Sequence, residues 1–196
     1  MPRLPSEEKR LAILAAALKR FLHYGLKKTS MQEVASDAGV AVGTLYLYFA
    51  DKDALVAGCA VRFAEEHRQQ AEELLGEKLR ADRKLVHYVK QRYAIWQEVG
   101  LRAPGALELA EAVLRLTPEK TQEFAEEFAK NLARILSEAA KSGVFHGVVP
   151  ARDARVLALA LGVFFPVAGR EQPVQPGERE LDLVLDWFVK QFRRKE

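Results

Sequence analysis

The chain has 196 residues, 49% of them hydrophobic and 29% charged, with a net charge of +3. That length suffices for one helical unit or two small ones, and a lone cysteine, Cys59, excludes an intrachain disulfide and suits a reducing compartment. No basic-then-apolar leader opens the sequence, and its longest nearly uncharged run, residues 156–168, is too short to span a bilayer, so a cytoplasmic protein with no membrane partner is expected.

Ser6 followed by Glu7 and Glu8 is a helix N-cap signal, and Leu11, Leu14, Leu18, Phe21 and Leu22 recur at helical spacing as far as Gly25. A first helix is predicted there, bracing the next two from behind. Ser30 and Glu33 form an S-x-x-E capping box, in which each side chain accepts a hydrogen bond from the other residue's unpaired backbone N–H. Met31, Val34, Ala35 and Ala38 continue at helical spacing until Gly39, where a residue that takes positive φ cheaply ends the helix. A third helix is expected over about residues 41–48, with Leu45 packed back on Ala35 and Val42, Thr44, Tyr46 and Tyr48 on or near its outer side. Asp51 caps a longer helix that keeps Lys52 on its first turn and Leu55, Cys59 and Phe63 on one face, then turns polar over residues 65–70. Cys59 is read as a small core residue.

Two short helices hinged at a glycine are the layout of a helix-turn-helix, whose second helix enters the major groove by its N-terminal end. That end must be small and free of acid. Ala41, Val42, Gly43 and Thr44 meet both conditions. The charge agrees, because residues 1–52 hold eight Lys or Arg against five Asp or Glu while the remainder holds 22 of each. Arg3, Lys9, Arg10, Lys27, Lys28 and Lys52 are the cations expected near phosphates.

Further helices are predicted over 84–99, with Val89, Tyr93 and Trp96, over 104–116, and from Thr117 and Pro118 as N-cap and first helical residue, with Phe124, Phe128, Ile135 and Ala139 spaced along it. Residues 154–167 are apolar almost all the way round, which implies burial on more than one side. Residues 178–194 carry a broad apolar face of Leu181, Val184, Leu185, Trp187, Phe188 and Phe192. Gly162, Pro166, Pro173 and Pro176 break up these later segments, and no strand pattern of useful length appears. The expected class is all-α, with about nine helices. An N-terminal three-helix head with the helix-turn-helix (residues 1–52) would precede a C-terminal helical domain for ligand binding and dimerisation (residues 53–196).

The breadth of the last two apolar faces suggests a subunit interface, assigned to Leu157, Leu161, Phe165, Leu181, Leu185 and Phe188. A symmetric homodimer would set two motifs on successive major-groove faces, so the operator in double-stranded DNA should be an inverted repeat. Between head and interface, Tyr88, Tyr93, Trp96, Phe124, Phe128, Phe164 and Phe165 suit an apolar cavity for a small molecule, with Arg92, His87 or Glu108 as polar contacts. The same aromatics also suit plain core packing. His23, His67, His87 and His146 lack metal-ligand spacing, and neither a Gly-rich phosphate loop nor a G-x-S-x-G motif is present, so no enzyme activity, cofactor or metal is expected.

Residues 29–55, TSMQEVASDAGVAVGTLYLYFADKDAL, resemble the DNA-binding signature of TetR-type transcriptional regulators, read with one extra residue before Val34. The likeness covers about the first quarter of the chain, and its core is Ala38, Gly39 and Val40, then Gly43, Leu45, Tyr46, Tyr48, Phe49, Lys52 and Leu55. By that resemblance Thr29, at the start of the first motif helix, contacts phosphate and Gly43 lets the backbone approach the bases. Thr44 would reach a base edge or phosphate, Tyr46 and Tyr48 would bind phosphate through their hydroxyls, and Lys52 would anchor the strand beyond. The sequence departs from the family at Leu47, where many members carry a second aromatic. The resemblance further implies that the two final helices pair with their copies as a four-helix bundle. It implies too that a small molecule biases a two-state body and so releases DNA. The expected function is a ligand-responsive repressor released by a small, mainly apolar effector. The alternative is a helical adaptor that binds protein partners through its C-terminal helices and uses the motif only structurally.

Overall fold

The computed structural model describes residues 6–97, 103–165 and 176–193. Arg3, Pro166 and Pro173, and the expected helix ends at 99, 167 and 194, lie outside the described residues. Local signals set the helix starts. The Ser6 hydroxyl accepts from Lys9 N–H and opens α1 (Glu7–Tyr24), which ends at Gly25 with φ 88°. The capping box opens α2 (Met31–Asp37): Ser30 Oγ accepts from Glu33 N–H at 3.3 Å, and Glu33 Oε2 accepts from Ser30 N–H at 2.8 Å. Such a cap contributes about 1 kcal/mol. Gly39, at φ 65°, turns the chain into α3 (Val42–Tyr48), and Asp51 accepts from Ala54 N–H at 2.8 Å to cap α4 (Lys52–Gly76). Then come α5 (Ala81–Trp96), α6 (Ala106–Leu116), α7 (Pro118–Lys141), α8 (Pro150–Leu161) with a 3-10 turn at Gly162–Phe164, and α9 (Glu178–Arg193). The fold is all-α, with no strand among the described residues. No helix among them is long and apolar enough to cross a membrane.

The chain forms two compact units, each with its own core. One comprises Met1–Glu66 with Gln97–Thr121, the other His67–Trp96 with Gln122–Glu196. This differs from a boundary at residue 52, because α6 belongs to the motif's unit. Leu109 and Ala112 of α6 join Ile13, Leu14, Phe21, Val34, Leu45 and Leu55 in one apolar cluster. Gly105 N–H donates to Leu22 O at 2.8 Å, and a Cβ on Gly105 would stand 1.9 Å from Phe21 O, so only glycine permits this approach. Glu108, expected in a ligand cavity, instead accepts from Leu26 N–H at 2.7 Å and Lys27 N–H at 3.1 Å. A carboxylate satisfies those N–H groups because they follow the end of α1, where neighbouring backbone offers no acceptor.

In the other unit Leu85, Val89, Leu132, Ile135, Leu136, Leu157, Leu161 and Leu181 are fully buried, each burial contributing roughly 1.5–3 kcal/mol. Buried Lys84 meets Glu138 at 2.9 Å and donates to Leu75 O at 2.9 Å, the pairing an interior cation requires. Buried Asp82 is paired likewise with Arg80 and Arg193. The α8 and α9 residues assigned to a subunit interface need correction here. Leu157, Leu161, Leu181, Leu185 and Phe188 are buried in this chain's own core, and Phe165 is half-buried against it. A regular apolar stripe covers its own unit's core first. The outward apolar residues are Val156, Leu159 and Val163, which are 51%, 79% and 47% exposed, and Leu183 and Trp187, at 69% and 57%.

Gly105→Ala should lower stability by about 2 kcal/mol or more, because backbone must move to admit the methyl. Urea unfolding checks this, and an unchanged midpoint would contradict the close approach of Gly105 to α1.

Candidate nucleic-acid interface and ligand cleft

The motif's second helix is anchored by one side chain and open around it. Leu45 is fully buried, while Ala41, Gly43, Tyr46 and Leu47 are exposed and Val42, Thr44 and Tyr48 are half-buried. Ala41 is the N-cap and no side chain bonds the first N–H groups of α3, so they are left to an outside acceptor such as phosphate. A Cβ on Gly43 would meet nothing within 4 Å. Packing inside the chain therefore does not demand glycine there; its absent side chain leaves a flat, uncharged surface. Leu47, 72% exposed, adds an apolar contact to that surface.

The flanking residues divide into open and engaged. Lys27 and Lys28 are exposed. Thr29, expected at a phosphate, is 2% exposed and its hydroxyl donates to Gly25 O at 2.8 Å. Its donor is thus spent on the turn after α1. Lys52 donates to Leu26 O at 2.8 Å and Thr29 O at 3.0 Å. An ammonium carries three N–H donors, so one remains for a phosphate. The Tyr48 hydroxyl accepts from Ser6 N–H at 2.7 Å and keeps its own proton to donate. Arg20 bridges Glu33 at 2.8 Å and Asp37 at 2.9 Å and lies 4.9 Å from the Tyr24 ring centroid, tying α1 to α2. Bonds from the Ser30 backbone N–H and hydroxyl hold the Glu33 carboxyl below its usual range. Its contribution to stability is therefore present at neutral pH and lost as the pH falls through that lowered value.

In the second unit a cleft between α4, α5 and α7 is lined by His67, Arg68, Gln70, Ala71, Tyr88, Gln91, Arg92, Ile95, Phe124, Glu127 and Asn131. Of the expected ligand residues it includes Tyr88, Arg92 and Phe124. Phe128 is buried beside it, stacked on Tyr88 at 5.7 Å, and Trp96 meets Phe165 edge-on at 6.5 Å. Tyr93 and Phe164 pack edge to face at 6.3 Å within the core, away from the lining. His87 is exposed and is not part of the cleft lining. The Arg92 guanidinium lies 3.9 Å from the Phe124 centroid and 4.4 Å from that of Phe128, a cation against two aromatic rings. Burial lowers its pKa, and burial raises that of the Tyr88 phenol. Asn131 Nδ2 donates to Tyr88 Oη at 3.2 Å. Asn131 was not singled out in the sequence, although a polar residue three after Phe128 on an apolar stripe is a signal that could have found it. The α4 residues 67–70 carried no such signal, since they read as a solvated face.

An exposed, acid-free recognition helix in one unit and a side-chain-lined cleft in the other are the parts of a helix-turn-helix transcriptional regulator. Residues 13–59 match the family described as bacterial regulatory proteins, tetR family. That stretch spans the motif's two helices, and the likeness to the family rests on it. The chain is 28% identical over 148 residues to the fatty acid metabolism regulator protein of Bacillus subtilis (strain 168), covering 75% of this chain and 76% of that protein. Its fold is similar to a transcriptional regulator from Cytophaga hutchinsonii ATCC 33406, with a TM-score of 0.75 and 24% identity over 93% of this chain and 97% of the other. It is also similar to SmeT, the repressor of the Stenotrophomonas maltophilia multidrug efflux pump SmeDEF. There the TM-score is 0.66, with 23% identity over 95% and 92% of the two chains. SmeT has also been solved as a complex with triclosan.

Lys52→Met should destabilise the motif's unit by about 1–2 kcal/mol through loss of its two backbone bonds, whereas Tyr46→Phe should leave the thermal midpoint unchanged. Equal midpoints for wild type and Lys52→Met would show that the ammonium does not hold the turn.

Proposed function

We propose that the protein is a homodimeric repressor that binds an inverted-repeat operator and leaves it when a small, mainly apolar effector enters the second unit. The observation that carries the DNA-binding part is the exposed N-terminal end of α3, free of acid and of intrachain capping bonds. On this reading Ala41, Val42 and Gly43 lie against base edges and Thr44 reads sequence. Lys28, Tyr46, the free Tyr48 O–H and the third Lys52 N–H hold phosphates. Thr29 supports them by holding the turn. The motif's unit is then the DNA-binding domain, and the other unit the ligand-binding and dimerisation domain.

Dimerisation is supported by the outward large apolar residues of α8, the turn after it and α9, of the kind that a partner surface covers. Val156, Leu159, Val163, Leu183 and Trp187 replace the inward stripe as the interface. Effector responsiveness is supported by the cleft around Arg92 and by the likeness to SmeT, which binds triclosan.

Selection from random duplex DNA should enrich an inverted repeat whose affinity falls steeply with salt, and Thr44→Ala should alter the preferred sequence while Tyr46→Phe weakens all sites alike. Failure to enrich any sequence at low salt would overturn the reading. The double variant Leu159→Asp, Trp187→Ala should sediment as a monomer and lose operator affinity by at least about tenfold, since only a dimer engages both half-sites. A variant that remained a dimer would place the interface elsewhere.

A further inference from the structure

The cleft of the second unit contains a buried cation, Arg92, and beside it a buried indole donor, that of Trp96. The Arg92 guanidinium forms no ion pair among the described residues; its partners are the Tyr88 hydroxyl and, at a long 3.4 Å from Nη2, Phe124 O. Phe124 and Phe128 lie against it, with ring centroids 3.9 and 4.4 Å from Cζ. Contact with the rings uses none of the guanidinium N–H groups, so the donors that Tyr88 and Phe124 O leave over can grip a carboxylate.

The surrounding groups repeat the pattern. One turn further along α5, the indole Nε1 of Trp96 is buried with no acceptor among the described residues. Trp96 contacts Phe165, whose ring also lies 5.9 Å from the Arg92 Cζ. The Tyr88 hydroxyl oxygen accepts from Asn131, and the Asn131 carbonyl oxygen accepts from Arg134 at 3.3 Å. The acid on the lining, Glu127, is paired with Arg68 at 3.4 Å. A buried donor without an acceptor costs stability, so an arriving anion that pairs with it recovers what the fold has given up.

We propose that the effector is an amphipathic organic monoanion, its charged end in the fork of Arg92 near Trp96 Nε1 and its apolar body against the aromatic cluster. This rests on the ligand-responsive reading above and adds the class of ligand. The cleft holds about 20 Å³ of open space, room for roughly one water, so the body of the ligand enters by displacing side chains at its mouth. Arg68 and Gln70 are the exposed residues there. A neutral ligand of the same length gains the apolar contact alone and leaves the donors unpaired.

Calorimetric titration of the full-length protein without DNA, using decanoate, decanesulfonate and decanol, tests the class of ligand. Both anions should bind at least about tenfold more tightly than the alcohol, equivalent to about 1.4 kcal/mol. Arg92→Met should abolish that preference, Arg92→Lys should retain part of it, and Trp96→Phe should reduce it in an otherwise intact pocket. Equal affinity for anions and alcohol, no measurable binding by any probe, or a preference that survives in Arg92→Met would overturn the proposal. The titration contains no DNA, so it is separate from operator selection: failure of the latter with anion preference intact would remove the repressor reading and leave the site standing.

Discussion

The turn at residues 25–30 is the constraint on which the DNA-binding surface depends. Between the end of α1 and the start of α2 the chain passes through backbone whose polar groups have no helical partners, and three side chains supply them. Glu108 accepts from the N–H groups of Leu26 and Lys27, Lys52 donates to the carbonyls of Leu26 and Thr29, and the Thr29 hydroxyl donates to the carbonyl of Gly25. These residues come from α6, α4 and the turn itself. The direction in which α2 leaves, and with it the aim of α3, is therefore set by polar contacts from elements far apart in sequence. Arg20 adds a second hold on α2 through Glu33 and Asp37.

The second unit solves a different problem. Its core is ordinary aliphatic packing along one side, with Lys84 and Asp82 neutralised by close partners. Towards α4 the packing changes to aromatic rings around a guanidinium. Replacing that cation by an apolar side chain of similar volume would relieve its desolvation. A fold that keeps the arginine retains a local charge at the expense of stability, in the part of the chain that the functional reading assigns to recognition.

Much of the motif was legible in the sequence because its signals are local. Ser30 with Glu33, Gly39, and Asp51 each act within four residues, and each sits where the spacing placed it. Leu45 too is buried as expected. The engaged states of Thr29 and Lys52 were not legible, since both bond backbone carbonyls, and backbone partners leave no residue-specific trace. Glu108 escaped for the same reason, and because α6 is separated from α1 by some eighty residues. On α8 and α9 the difficulty was phase. When apolar residues occupy more than one stripe, periodicity locates the stripes without saying which faces inward, and Leu181, Leu185 and Phe188 face the core while Leu183 and Trp187 face out.

Cys59 lies on α4 in the core of the motif's unit, 4% exposed, with its thiol directed to Leu14 O at 3.6 Å. Burial pushes its pKa up to about 12, so the nucleophilic thiolate is nearly absent while the unit stays closed. Any alkylation at neutral pH then passes through an opened state in which the thiol meets water. The lone cysteine is thereby a built-in chronometer for the breathing of this unit, and the dependence of its labelling rate on reagent concentration separates the opening rate from the opening equilibrium.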